Sequence, residues 1–163
     1  MTGVNREPVT IGQTRVAGAD TVLYALGLGS CVAIVLYDSA QRLGGMAHAL
    51  LPQPSNGTPP VTPGRYVSTA VDALVRAMEE AGASRRSLRA RLAGGASMFD
   101  AAVAGDVRQL GMRNVLAARA ALARAGIPVD REDVGGGHGR SVYLHVDEGR
   151  VVISALARDD VVL

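Results

Sequence analysis

Cys31 and His48 carry the strongest chemical potential in this chain of 163 residues. Cys31 is its only cysteine, and it follows the glycine-rich run Ala25-Leu26-Gly27-Leu28-Gly29-Ser30. The apolar segment Val32-Ala33-Ile34-Val35-Leu36-Tyr37 comes next, and Gly44-Gly45-Met46-Ala47-His48-Ala49-Leu50-Leu51-Pro52 brings the histidine 17 positions downstream. A thiol has an ordinary pKa of about 8.5, so only a few per cent is thiolate at neutral pH. An imidazole in hydrogen-bond reach takes that proton and returns it to a leaving amine. Glycines at 27 and 29 let backbone amides turn inward, so the amides around Gly29, Ser30 and Cys31 are the expected oxyanion donors.

The elements flanking this pair decide whether its members meet. Residues 31–38 and 43–51 read as two strands forming an antiparallel hairpin. With Ser39-Ala40 as a two-residue loop, Cys31 would lie directly opposite His48, on one face. A four-residue loop keeps both on that face, displaced by one diagonal step, and an odd loop separates them. Spacing alone leaves the alternative open. A lone cysteine before an apolar strand is more often a small buried hydrophobe, and His48 between Met46 and Leu50 on its own face fits a core histidine.

Around the hairpin, residues 9–13 and 21–26 read as one or two short strands. The proline-rich stretch 52–64 must be a loop. A helix starts near Thr62-Pro63, with Val67, Val71, Leu74, Val75 and Met78 on one face and Gly82 ending it. A second helix spans roughly Arg113 to Ala125, stopped by Gly126 and Pro128. Residues 88–92 form a strand, Ile127–Asp130 opens an edge strand, and 141–146 with 150–154 form a hairpin around Asp147-Glu148-Gly149. Strands, helix, strand, helix, strands predict an α/β or α+β domain with two helices against mixed sheets. One domain over residues 1–163 is expected, residues 1–8 being a flexible tail.

Composition narrows the function classes. Hydrophobic content of 48% supports a sizeable core. No run of apolar residues reaches membrane-spanning length, and the polar start of the chain has no signal-peptide core, so a soluble cytoplasmic protein is expected, with no membrane insertion. Lys+Arg total 17, all of them arginine, against 15 acidic residues. The densest basic group, Arg85, Arg86, Arg89 and Arg91, has no interleaved aromatics, which argues against nucleic-acid binding. His48, His138 and His145 show no metal-ligand spacing, so no metal is expected. His145 reads as structural. The loop Asp133 to Arg140 lacks the lysine of a phosphate-binding loop and reads as a backbone turn. Phe99, the only phenylalanine, is core by base rate and a contact residue if exposed.

Taken together, Leu28-Gly29-Ser30-Cys31-Val32, Leu36-Tyr37-Asp38, the segment Gly44 to Pro52, Arg65-Tyr66-Val67, Gly94 to Phe99, Gly111-Met112-Arg113-Asn114 and the loop Asp133 to Arg140 resemble CheD, the chemoreceptor glutamine deamidase family. The resemblance is collinear over roughly residues 10 to 155. It implies a single-domain α/β sandwich of mixed, largely antiparallel β-sheets and two main helices, similar in active-site layout to the cytotoxic necrotizing factor deamidases. It also implies deamidation of glutamines on methyl-accepting chemotaxis receptors through a cysteine thioester, possible receptor methylesterase activity by the same route, and no cofactor. Cys31 carries over as nucleophile and His48 as base. The family often places a threonine shortly before the cysteine to orient the histidine, and here that position is Ala25. Thr21, Ser30 or a backbone carbonyl near Ala25 are the expected substitutes. The alternative that the resemblance implies is an adaptor that binds and regulates the phosphatase CheC.

Overall fold

The computed structural model describes residues 3–55, 59–98 and 105–163. Phe99 lies outside the described residues. Among the described residues, ten strands make two five-stranded sheets. The first runs β1 (Asn5–Pro8), β3 (Thr21–Leu28), β8 (Arg140–His145), β9 (Arg150–Ser154) and β10 (Val161–Val162) across its width. The second runs β2 (Thr14–Ala17), β5 (Leu43–Ala49), β4 (Val32–Asp38), β6 (Leu88–Gly94) and β7 (Val129–Val134). Pairing is antiparallel throughout except β1 with β3 and β6 with β7. The helices α1 (Val67–Glu80) and α2 (Gly105–Ala125) cover one face of the second sheet. The result is the expected α/β sandwich, layered as sheet, sheet and helices.

The apolar run at 32–37 explains its own position. Alternate residues of a strand point to opposite faces, and every residue of β4 is buried. Ala33, Val35 and Tyr37 enter the core between the sheets, with Leu23, Met46, Val142 and Leu144. Val32, Ile34 and Leu36 enter the core under the helices, with Leu74, Met78, Leu92 and Leu122. A strand covered on both sides has no polar face to show, hence the unbroken hydrophobic sequence. Burying each such side chain contributes about 1.5–3 kcal/mol before ordering costs. On α1 the buried residues are Val67, Ala70, Val71, Leu74, Val75 and Met78. They settle closely on β5, where a Cβ at Gly45 would come within 2.9 Å of Leu74 and 2.8 Å of Met78.

Several boundaries differ from the sequence reading. Residues 5–8 are β1, not a tail, because Asn5 to Pro8 extend the first sheet alongside Thr21 to Tyr24. Residues 9–13 are a turn rather than a strand, closed by the Gln13 amide donating to the Thr10 carbonyl at 2.9 Å. Pro63–Arg65 forms a single 3-10 turn, and α1 begins only after Tyr66. The second helix starts at Gly105, eight residues earlier than periodicity suggested. Gly105 and Gly111 disguise that start as a loop. The basic group lies where local acids and carbonyls receive it: Arg85 pairs with Glu79, Arg89 with Asp130, and Arg91 donates to the Gly149 carbonyl.

Candidate active site

Strand β4 pairs with β5 so that Asp38 faces Leu43 and Ala33 faces His48. The connecting loop is therefore four residues, 39–42, and not two. Asp38 causes this: its buried carboxylate accepts the amides of Ala40 at 3.0 Å and Gln41 at 3.2 Å, building a wider turn. Cys31 consequently sits one diagonal step from His48 on the same face, where residues are about 7–8 Å apart at Cα. Both line one cleft of about 510 Å³, together with Pro8, Val9, Thr10, Ile11, Tyr24, Leu26 and Gly27. Ile11 and Leu26, each more than half exposed, stand at its edge.

The imidazole is held by the backbone. Nδ1 of His48 lies 2.9 Å from the Val9 carbonyl oxygen. A carbonyl only accepts, so Nδ1 carries the proton and Nε2 keeps its lone pair. The Val9 amide donates in turn to the Tyr24 carbonyl at 2.7 Å, and the His48 backbone bonds to Gly12 and Gln13. The orienting group is thus the main chain of the turn between β1 and β2. Among the described residues neither the Thr21 nor the Ser30 hydroxyl bonds the imidazole, and the carbonyl that does is not beside Ala25 in the chain. Ala25 is buried in the core between the sheets. Thr21 is at the far end of β3, its hydroxyl donating to the Asp20 carboxylate at 3.2 Å. Proximity in sequence to Cys31 pointed to β3, whereas the strand neighbours of His48 supply the carbonyl.

The loop before Cys31 is fastened through its carbonyls. Ala96 donates to the Gly29 carbonyl at 2.9 Å, and Gly95 to the Cys31 carbonyl at 2.8 Å. The Asn114 side-chain amide donates to the Ser30 carbonyl at 2.9 Å. In a trans peptide the N–H points opposite to its C=O, and no cis bond occurs among the described residues. The amide of Ser30 therefore turns away from the 94–97 loop, and that of Cys31 turns away from α2, toward the face of the sheet that carries the thiol. Gly27, at φ +65°, sits in the register shift of β3 between Ala25 and Leu28, just before this loop.

A second tier braces the first. Gly135 donates to the Gly94 carbonyl and Ser97 to the Gly136 carbonyl, both at 2.9 Å. The buried Arg140 guanidinium holds this glycine turn, bonding the Gly135 carbonyl and both the carbonyl and carboxylate of Asp133. The loop from Asp133 to Arg140 is thus a brace, in keeping with its reading as a backbone turn. Among the described residues no group of three or more acidic, histidine or cysteine side chains is placed to hold a metal ion.

Burial sets the resting charge state. It pushes the Cys31 thiol up, an effect that its own backbone amide partly offsets. It pushes His48 down, offset in part by the Val9 carbonyl. The free pair rests as neutral thiol and neutral imidazole. Stability should follow the same logic. Below about pH 6.5 the unfolded chain binds a proton on histidine that the folded one refuses, so the contribution of His48 is complete above that value and lost as pH falls through the window beneath it. The raised thiol contributes fully at neutral pH and loses that contribution as alkali ionises cysteine in the unfolded chain. Urea midpoints measured from pH 5 to 10 should show His48→Gln flattening the fall on the acid side and Cys31→Ala flattening it on the alkaline side.

Comparison with known proteins places the chain in a family. Residues 50–155 match the family model described as CheD chemotactic sensory transduction. A protein of Symbiobacterium thermophilum is 44% identical over 156 residues, 94% of each chain. Others from Archaeoglobus fulgidus (43% identical, 89% of this chain and 90% of that one) and Thermococcus kodakarensis (40%, 94% and 95%) are similar. Each of the three is named "Probable chemoreceptor glutamine deamidase CheD". Among solved structures, the Neisseria meningitidis protein NMB0706 aligns with a TM-score of 0.46 at 13% identity, over 82% of this chain and 63% of that one. A two-sheet sandwich bearing a thiol and an oriented imidazole in one cleft, with family and relatives matching over most of its length, belongs to the CheD family.

Proposed function

We propose that this protein deamidates glutamine side chains of methyl-accepting chemotaxis receptors in the cytoplasm, with Cys31 as nucleophile and His48 as base. The observation that carries the reading is the shared cleft, lined by both Cys31 and His48, in which the Val9 carbonyl fixes the Nδ1 proton of His48 and leaves Nε2 with its lone pair. Nε2 takes the Cys31 proton as Sγ attacks the glutamine carboxamide carbon. The oxyanion forms against the amides of Ser30 and Cys31. Collapse transfers the proton from His48 to the leaving nitrogen, ammonia departs, and a thioester remains. Water, deprotonated by His48, attacks the thioester; the thiol is reprotonated and glutamate is released. A methyl ester of glutamate would enter by the same route with methanol as the leaving group.

The apolar edge at Ile11 and Leu26 suits a protein substrate whose glutamine projects from an amphipathic surface. A chain without an orienting group for His48 would have a motive to serve mainly as an adaptor that binds CheC. An orienting carbonyl at Val9 removes that motive. Incubating the full chain with a purified receptor cytoplasmic fragment should release ammonia and raise the fragment's mass by about one unit per converted glutamine. No conversion on matched receptors, alongside tight CheC binding, would replace the enzyme by the adaptor.

A further inference from the structure

We propose that Asn114 is a positioning residue for this site, its side-chain amide locking the nucleophile loop to the strand that carries the base. Asn114 is fully buried in α2, on the stripe shared with Val115, Ala118 and Leu122. Its Nδ2 has two protons and spends both: one on the Ser30 carbonyl at 2.9 Å, the other on the Leu50 carbonyl at 3.0 Å. Those oxygens belong to the residue before the nucleophile and to the residue two beyond the base. Extending the β4–β5 register past the Val32–Ala49 pair places Cys31 opposite Leu50. The asparagine therefore bridges the two strands just where their own pairing ends.

The bridge also has a direction. By holding the Ser30 carbonyl on the helix side, it holds the amide of Cys31 on the opposite side, with the thiol. That amide stands beside the sulfur, where it favours the ionised thiol, and in the proposed reaction it faces the oxyanion. Meanwhile Asn114 Oδ1 is buried without a partner among the described residues. An unpartnered buried carbonyl costs stability, and a leucine of similar volume would fit the stripe without that cost. The polar residue thus works against packing while ordering the catalytic loop. A close approach makes its reach possible, since a Cβ on Gly111, one turn earlier, would collide with the carbonyls of Gly95 and Ala96.

The inference rests on the deamidase reading for its catalytic consequence, yet Cys31 itself offers an independent readout. In full-length Asn114→Leu, folded by circular dichroism, the pH midpoint for alkylation of Cys31 by iodoacetamide should move upward, because the released amide no longer supports the thiolate. On the receptor fragment, kcat should fall at least tenfold, toward the roughly 10²-fold loss seen when an oxyanion donor is removed. KM should stay within about twofold, since the loop acts on the transition state. A wild-type alkylation midpoint together with wild-type kcat would overturn the proposal. A moved midpoint in a protein whose wild type converts no glutamine would uphold the loop-locking role while the enzyme reading fails. Should leucine prevent folding, Asn114→Ser, too short to span both carbonyls, must give the same two changes. Failure of both variants to fold would reduce Asn114 to a fold residue and overturn the inference.

Discussion

Cys31→Ala should abolish glutamine conversion, lowering kcat by about 10⁴-fold or more, because without the sulfur no acyl intermediate forms and only binding and the backbone amides remain. His48→Ala should cost about 10²–10⁴-fold, the range for a positioned acid–base group. The two losses should not add, since thiol and imidazole act as one unit and the double variant should be little worse than Cys31→Ala. Cys31→Ser should stay near the alanine variant, because a serine hydroxyl is a far weaker acid than a thiol and a weaker nucleophile toward the carboxamide with the same imidazole as base. Single-turnover assays on the receptor fragment, read by mass spectrometry, would resolve all four. Either single variant retaining more than about a tenth of wild-type kcat would move the nucleophile or the base elsewhere.

Gly94→Ala should be the most damaging small substitution, costing at least about 2 kcal/mol of folding stability. Two effects act at once. Gly94 has φ +105°, a conformation that L side chains rarely adopt. Its Cβ would also drive into the carbonyl oxygen of Cys31, which is backbone and has little freedom to yield. Relief requires the two loops to separate, breaking the Gly95-to-Cys31 bond and, next to it, the Ala96-to-Gly29 bond. Activity should therefore fall even at temperatures where the variant is folded. Denaturant unfolding with a parallel rate measurement checks both. Wild-type stability would mean that the loops are not held as tightly as their hydrogen bonds indicate.

What the sequence revealed and what it concealed divide along a physical line. Side-chain chemistry and periodicity were legible: the unbroken apolar run of β4, the apolar stripe of α1, and the thiol and imidazole on one face. The hairpin register shifted by one step because Asp38 reorganised its turn, an effect of one carboxylate on two amides that no period reports. Short edge strands were missed at both ends. Asn5 to Pro8 and Val161–Val162 show little alternation, and they become strands only by pairing with β3 and β9. In α2, Asn114 stood on an otherwise apolar stripe, and a polar residue there is a signal the periodicity could have raised. The orienter of His48 left none.

That orienter has a consequence for how such a site varies over generations. A main-chain oxygen is specified by no particular codon: nearly any residue at position 9 provides it, proline excepted, since the Val9 amide must also reach Tyr24. Drift at this position is therefore largely silent for the histidine. With that carbonyl in place, the absence of a hydroxyl at Ala25 leaves the imidazole held. Comparisons that count identical letters will overlook the partner altogether, and tracing the path of the chain is what brings it into view.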